Sequence, residues 1–191
     1  MPIETQIRVA TEDDVPVLRT LIDASVRGLQ AEDYTALQID NALKTVFGVD
    51  SQLIADGTYF VVEARPVDAA KRFVIAGCGG WSRRQKLHGG DAWTEQRLEL
   101  LDPATDAAKI RAFFIAPEFA RLGIGTRILE ACEAAALAEG FRRFEMSATL
   151  TGVKLFGARG YVAIDRMALD IGGGETLPVV RMEKRVDADR C

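Results

Sequence analysis

An α+β sandwich around a mixed sheet is the fold class that this sequence predicts. Two observations carry the prediction. Seven segments have the alternation or apolar density of strands, and four have the spacing of amphipathic helices. The two kinds follow one another both as hairpins and as crossovers, which points to a mixed sheet with helices packed on it. The expected sheet is twisted and mostly antiparallel, with about six or seven strands flanked by about four helices. A length of 191 residues suits one domain over residues 1–191.

The elements read as follows. "QIRVAT" alternates apolar and polar residues as a first strand. In "TEDDVPVLRTLIDASVRGL", Thr11 and Asp14 have capping-box spacing, and Val15, Leu18, Ile22 and Val26 keep helical spacing. "TALQIDNALKTVF" predicts a second helix with Leu37, Ala42 or Leu43, and Val46 inward. "TYFVVEA" and "RFVIAGCGGWS" predict a hairpin joined through "RPVDAAK". Residues 83–108 form the one long irregular stretch, rich in charge and glycine. "KIRAFFIA" is the next strand, followed by a glycine turn and a helix with Ile124, Ile128, Leu129, Cys132 and Ala136 inward. "RRFEMSAT", "YVAIDRMALDI" and "TLPVVRMEKRV" are strands, and "GVKLFGARG" is a short helix closed by Gly160.

Composition narrows the function. A net charge of −4 offers no strongly basic surface for nucleic acid. Cys78, Cys132 and Cys191 share no short spacing, so neither a disulfide framework nor a zinc site is expected, and no metal site is. "MPIETQIRVATEDD" has no apolar signal-peptide core, and no run of 18 apolar residues occurs. The expectation is a reduced, cytoplasmic protein without a membrane span.

The chemistry is concentrated in "ARLGIGTRI". A strand, a short loop, Gly123-Ile124-Gly125 and an amphipathic helix place unpaired amide N–H groups and the helix dipole at one point, which makes an anion site. Gly123 and Gly125 would let a pyrophosphate lie against the backbone, and Arg121 and Arg127 add positive charge. A P-loop needs lysine and then Ser or Thr after its last glycine, and "GIGTRI" lacks that pair. A dinucleotide fingerprint needs a third glycine where Ile128 stands.

The order strand, proline, G-x-G turn, long helix, strand, short helix, Gly-aromatic runs through "AFFIAPEFARLGIGTRILEACEAA" and "RRFEMSATLTGVKLFGARGY". In this order, over residues 109–161, the chain resembles the Gcn5-related N-acetyltransferase (GNAT) superfamily. The resemblance implies an acyl-CoA N-acyltransferase fold and transfer of an acetyl group from acetyl-CoA to an amine of a small molecule or peptide. Acetyl-CoA would lie between the strands at Phe113–Ile115 and Phe144–Thr149, with N–H groups around Phe114 and Ile115 facing the acetyl carbonyl. Its contacts would come from Phe113, Phe114, Ile115, Arg121, Leu122, Gly123, Ile124, Gly125, Thr126 and Phe156. Glu145 matches a position where some relatives carry a working base. The resemblance also implies a homodimer.

Two positions depart from the family pattern. Ala120 stands where Gln or Arg is usual, and Phe156 stands where a tyrosine usually protonates the departing thiolate. A CoA-binding module without turnover is therefore a second reading. On the acceptor side, Tyr34 and Trp81 are candidates to line a pocket, and Asp33 could meet an amine. His88 in "KLHGGD" reads as an exposed loop histidine. Arg83, Arg84 and Lys86 read as a solvated face, or as a contact for an acidic acceptor or the 3′-phosphate of CoA.

Overall fold

The computed structural model describes residues 3–66, 72–93 and 98–187. Seven strands and five helices follow one another as β1 (Ile3–Val9), α1 (Val15–Leu29), α2 (Ala36–Thr45), α3 (Ser51–Ala55), β2 (Tyr59–Pro66), β3 (Val74–Ser82), β4 (Ala108–Ile115), α4 (Ile124–Ala138), β5 (Arg143–Thr149), α5 (Val153–Gly157), β6 (Val162–Asp170) and β7 (Thr176–Arg185). Single 3-10 turns precede α1 (Glu12–Asp14) and α4 (Pro117–Phe119). The sheet order is β1-β2-β3-β4-β5-β7-β6. Only β4 and β5 run parallel; every other neighbouring pair is antiparallel. The mixed, mostly antiparallel sheet of the prediction is therefore the one present. The turn of the expected β2–β3 hairpin, residues 67–71, lies outside the described residues.

Both faces of the central strands are covered, so alternation gives way to continuous apolar runs there. On one face Leu18, Ile22 and Val26 of α1, Ile39 and Ala42 of α2, and Leu53 of α3 pack on Tyr59, Val61, Cys78 and Phe114. On the other, Ile124, Ile128, Leu129, Cys132 and Ala136 of α4 pack on Val62, Trp81, Ile110, Phe144 and Met146. The α4 stripe is the one the spacing predicts. In α2 the inner stripe is Ile39, Ala42 and Val46, while Leu37 is exposed. The rotation brings β-branched Ile39 inward, three residues before Ala42 and seven before Val46.

α3 is the helix that the sequence reading lacks. Its five residues are too few for a periodic stripe, and its start is marked by Asp50, whose Oδ1 accepts from the Leu53 N–H at 3.2 Å. At the start of α1, the expected Thr11–Asp14 pairing is present, with the Thr11 N–H donating to Asp14 Oδ2 at 2.8 Å. Arg8 clamps the same carboxylate with Nη1 at 2.7 Å and Nη2 at 2.8 Å. That bidentate contact, more than the Thr11 bonds, holds the Asp14 carboxyl below the usual carboxylate range.

Helix α4 sits close to β3 because the strand is nearly bare there. A Cβ at Gly79 would lie 2.7 Å from Ile128 Cγ2 and 2.7 Å from the Phe113 ring. Gly79→Ala is expected to lose about 1–3 kcal/mol of stability in urea unfolding. Asp14→Asn is expected to be less stable than the parent at pH 7. Because the folded-state pKa of Asp14 is lowered, its contribution is present above the unfolded value of about 3.9 and is lost as pH falls through the folded value. The gap between the two proteins should therefore close in acid, as read by thermal unfolding at a series of pH values.

Candidate active site

The site begins where the sheet divides. β4 and β5 pair only at Ala108↔Phe144 and Lys109↔Glu145, and beyond that they part. Each strand keeps its other neighbour, β3 for β4 and β7 for β5. A cleft opens between them. It is lined by residues 110–114 of β4, residues 146–149 of β5, Phe156 of α5, and Leu87 to Gly90 of the loop after β3.

β4 carries a bulge at the fork. Cys78 pairs with Phe114 and Gly80 with Arg111, so Ala112 and Phe113 both face Gly79. Ala112 has φ +59°, a left-handed conformation that costs a non-glycine residue roughly 1–2 kcal/mol. Its carbonyl accepts from the Tyr59 hydroxyl at 3.3 Å. Tyr59 also touches Cys78 Sγ at 3.3 Å, and burial pushes the Cys78 thiol up to about 12. These are inert supports for the bulge. The Ile115 N–H, expected to face an acetyl carbonyl, donates to Ser25 Oγ on α1 at 3.1 Å. That bond forms because Ser25 lies on the buried stripe of α1, which packs over β4.

The glycine turn lies at the end of β4. Gly123 is the N-cap of α4 with φ +82° and no side chain capping the helix. Among the described residues no hydrogen bond is made by the amides of Leu122 through Thr126, as the first turn of a helix requires unless something else supplies acceptors. Arg121 and Leu122 are exposed, and Arg121 makes no ion pair among the described residues. Gly123 is needed for its backbone angle, since nothing lies within 4 Å of an added Cβ. At Gly125 an added Cβ would lie 2.9 Å from Leu155 Cδ2, the end of a side chain that would have to turn aside. Arg127 points elsewhere. Its Nη1 bonds Thr5 of β1 instead.

The loop after β3 is held by ion pairs rather than left in solvent. Arg83 meets Glu139 at 2.8 Å, and Arg84 meets Asp56 at 2.8 Å. Lys86 is buried, donates to the Gly90 carbonyl at 2.8 Å, and stands 3.6 Å from the buried Asp50. The expected solvated basic face is therefore three paired cations. Arg111 completes the cluster, with Nη2 2.6 Å from Asp50 Oδ2 and Nη1 donating to the Lys86 carbonyl at 2.9 Å. Burial lowers the pKa of both Lys86 and Arg111, and Asp50 opposes the shift.

His88 lies in the cleft wall, in edge contact with Trp93 at 4.8 Å between ring centroids. It also lines a second cavity with Lys86, Lys109 and Glu145. Glu145 is buried between two cations. Lys109 bonds Oε2, and Arg181 approaches Oε1 at 3.2 Å. The strand register brings Lys109 directly opposite Glu145.

The aromatic candidates for the acceptor pocket are both core residues. The Tyr34 hydroxyl donates to the Pro178 carbonyl at 2.8 Å and accepts from the Leu150 N–H at 2.9 Å. Burial raises its pKa to about 12. Trp81 is 1% exposed and packs edge-on against Phe141 beneath α4. Neither lines the cleft. Asp33 accepts from Thr151. Phe156 does line it, edge-on to Phe113 at 5.7 Å. The Tyr161 hydroxyl donates to Glu133 Oε1 at 2.9 Å on the far side of Phe156.

Gln30, Arg111, Ala112 and Ser147 line the cleft without having been singled out by the sequence reading. Arg111 had a signal, being the one charged residue inside "IRAFFIA". The other three had none. No group of three or more His, Cys, Asp or Glu side chains is placed to hold a metal among the described residues. No helix among them is long and apolar enough to cross a membrane.

A family model described as the acetyltransferase (GNAT) family matches residues 25–161. Solved structures share the fold. A GCN5-related N-acetyltransferase from Rhodopseudomonas palustris is 23% identical with a TM-score of 0.66, over 97% of this chain and 99% of that one. The PaiA N-acetyltransferase from Thermoplasma acidophilum, in complex with coenzyme A, is 15% identical with a TM-score of 0.59, over 97% and 99%. YncA from Salmonella typhimurium, a putative acetyltransferase with its cofactor acetyl-CoA, is 14% identical with a TM-score of 0.56, over 98% and 96%. No curated protein sequence matches. Acetyl-CoA is the co-substrate of the matched family. With its divided sheet, its uncapped helix after β4 and a model match over more than half its length, the chain belongs to the GNAT acetyltransferase family.

Proposed function

We propose that the protein is an N-acetyltransferase that moves an acetyl group from acetyl-CoA to an amine. The observation that carries this reading is the parting of β4 and β5 beside an α4 N-terminus with no cap of its own. In this reading the amides of Arg121, Leu122, Gly123, Ile124, Gly125 and Thr126 hold the pyrophosphate. Phe113, Phe114 and Ile115 flank the pantetheine arm, and Phe156 lies beside the thioester. For the Ile115 N–H to take part, it must exchange Ser25 for a new acceptor.

The amine must arrive or become uncharged before it attacks. Its nitrogen then bonds the acetyl carbon, the carbon–sulfur bond breaks, and the electron pair leaves with sulfur as thiolate. The amine proton goes to a base. Glu145 is that base in the sequence reading; in the fold its two carboxylate oxygens are already engaged by Lys109 and Arg181. We assign the contact with the amine to His88, which lines the cleft, and the balancing negative charge to Glu145 in the adjoining cavity. With Phe156 in place of a hydroxyl donor, the thiolate departs unprotonated or takes a proton from water.

That same phenylalanine favours a second reading, a CoA-binding module without turnover. The homodimer has its natural seam at β6, one of the two edge strands of the sheet, where Val162 and Ile164 are exposed. A cytoplasmic setting suits the two free buried cysteines, Cys78 and Cys132.

Calorimetric titration with CoA and thiol release from acetyl-CoA across an amine panel test the two readings. Binding with release supports the acetyltransferase. Binding without release from any amine or peptide supports the module, and no binding at millimolar CoA sinks both. Gly123→Ala is expected to weaken CoA binding, because a Cβ at φ +82° costs roughly 1–2 kcal/mol. His88→Gln is expected to lower kcat/KM by roughly 10²–10⁴. Glu145→Gln should cost less, since Glu145 lies in the adjoining cavity and is already engaged by Lys109 and Arg181. The opposite ranking would make Glu145 the base.

A further inference from the structure

Three buried polar groups around the cleft lack hydrogen-bond partners among the described residues: Gln30 Oε1, Arg111 Nε and Ser147 Oγ. Buried polar atoms are rarely left this way, because each loses its bonds to water without replacement. Gln30 is 6% exposed and Arg111 is 7% exposed. Neither can recover its bonds by turning into solvent. All three residues line the same space.

The three groups differ in what they need. Gln30 ends α1, and its Oε1 can only accept a hydrogen bond. Arg111 can only donate. Its guanidinium is fixed on two sides, by the Asp50 contact at 2.6 Å and by the Lys86 carbonyl at 2.9 Å. Ser147 can donate or accept, and sits on β5 across the fork from Arg111. A ligand that satisfies the set must carry a hydrogen-bond donor and an acceptor, and a charged acceptor makes the stronger bond to a guanidinium. The rest of the wall is apolar and includes Val46, Phe47, Leu87, Leu169 and Val179.

We propose that the acceptor is an amine that carries a carboxylate and an apolar body, such as an α-amino acid with an apolar side chain. Its carboxylate is taken by Arg111 and Ser147, and its nitrogen is steered by the Gln30 carbonyl toward the fork. This rests on the acetyltransferase reading and gives that same site a substrate class. Arg111 meets Asp50 through Nη2, which leaves its buried Nε edge for an acceptor on a ligand. Arg111 is here a specificity residue. The bond chemistry is that given above, with the amine nitrogen of the acceptor forming the new bond to the acetyl carbon.

The test uses the intact protein saturated with CoA, after CoA binding has been measured by itself. Leucine, leucinamide and isoamylamine are titrated in turn, followed by phenylalanine, phenylalaninamide and phenethylamine. The expected result is that the carboxylate member of each set binds at least tenfold tighter than the other two. Ser147→Ala and Gln30→Met, which remove no charge, should each weaken the amino acid about three- to tenfold with CoA affinity and thermal midpoint unchanged. Arg111→Lys, which keeps the charge opposite Asp50, should lose the preference for the carboxylate. Equal binding within each set, or no binding to a CoA complex that has formed, overturns the proposal. So does unchanged amino-acid affinity in all three variants. Failure of the first CoA titration removes the parent reading, and this one with it.

Discussion

Two neighbouring strands that stop pairing leave a row of backbone groups to be satisfied in some other way. That constraint at β4 and β5 organises the rest of the molecule. The strands hold together only through Ala108–Lys109 and Phe144–Glu145, and the Lys109–Glu145 ion pair ties the last matched residues. Past that point β4 leans on β3 and β5 on β7. The wedge between them is filled from one side by α1 and the 83–93 loop and from the other by α5. Ser25 supplies the acceptor that the Ile115 N–H would otherwise lack.

The bulge in β4 belongs to the same constraint. An extra residue opposite Gly79 turns the strand and places Ala112 in a left-handed conformation. The strain is tolerable because the surroundings leave little choice. Tyr59 holds the Ala112 carbonyl, Gly79 gives the Phe113 ring room, and Phe114 packs edge-on to Phe47 at 5.9 Å. Arg111 is pinned by Asp50 one residue earlier. Removing one partner of such a buried pair typically costs about 3–5 kcal/mol, since the other charge is left without compensation. The polar wall of the cleft and the stability of the central strand are thus coupled through one guanidinium.

Much of this was legible in the sequence, for local reasons. The α4 stripe follows from spacing alone, and all five of its residues are buried. The Thr11–Asp14 contact follows from capping spacing, whereas the left-handed angle at Gly123 is visible only in the fold. The places where local reasoning fell short depend on partners far along the chain. Tyr34 and Trp81 look like pocket aromatics until Pro178, Leu150 and Phe141 are seen around them. Lys86 looks like a surface cation until Asp50 lies beneath it. His88 looks like a loop residue until its loop folds back over the fork.

The sequence by itself determined the order of most elements and the glycine turn that starts α4, because each depends on residues within one or two turns of chain. It also determined which hydroxyl is missing, since Phe156 is read directly. Only the tertiary structure decided where the strands part, which amides stay open, and which polar groups face one another across the cleft. Gln30, Arg111 and Ser147 lie on three elements separated by long stretches of chain. They meet only because two strands of one sheet diverge, and no periodicity in sequence records a divergence.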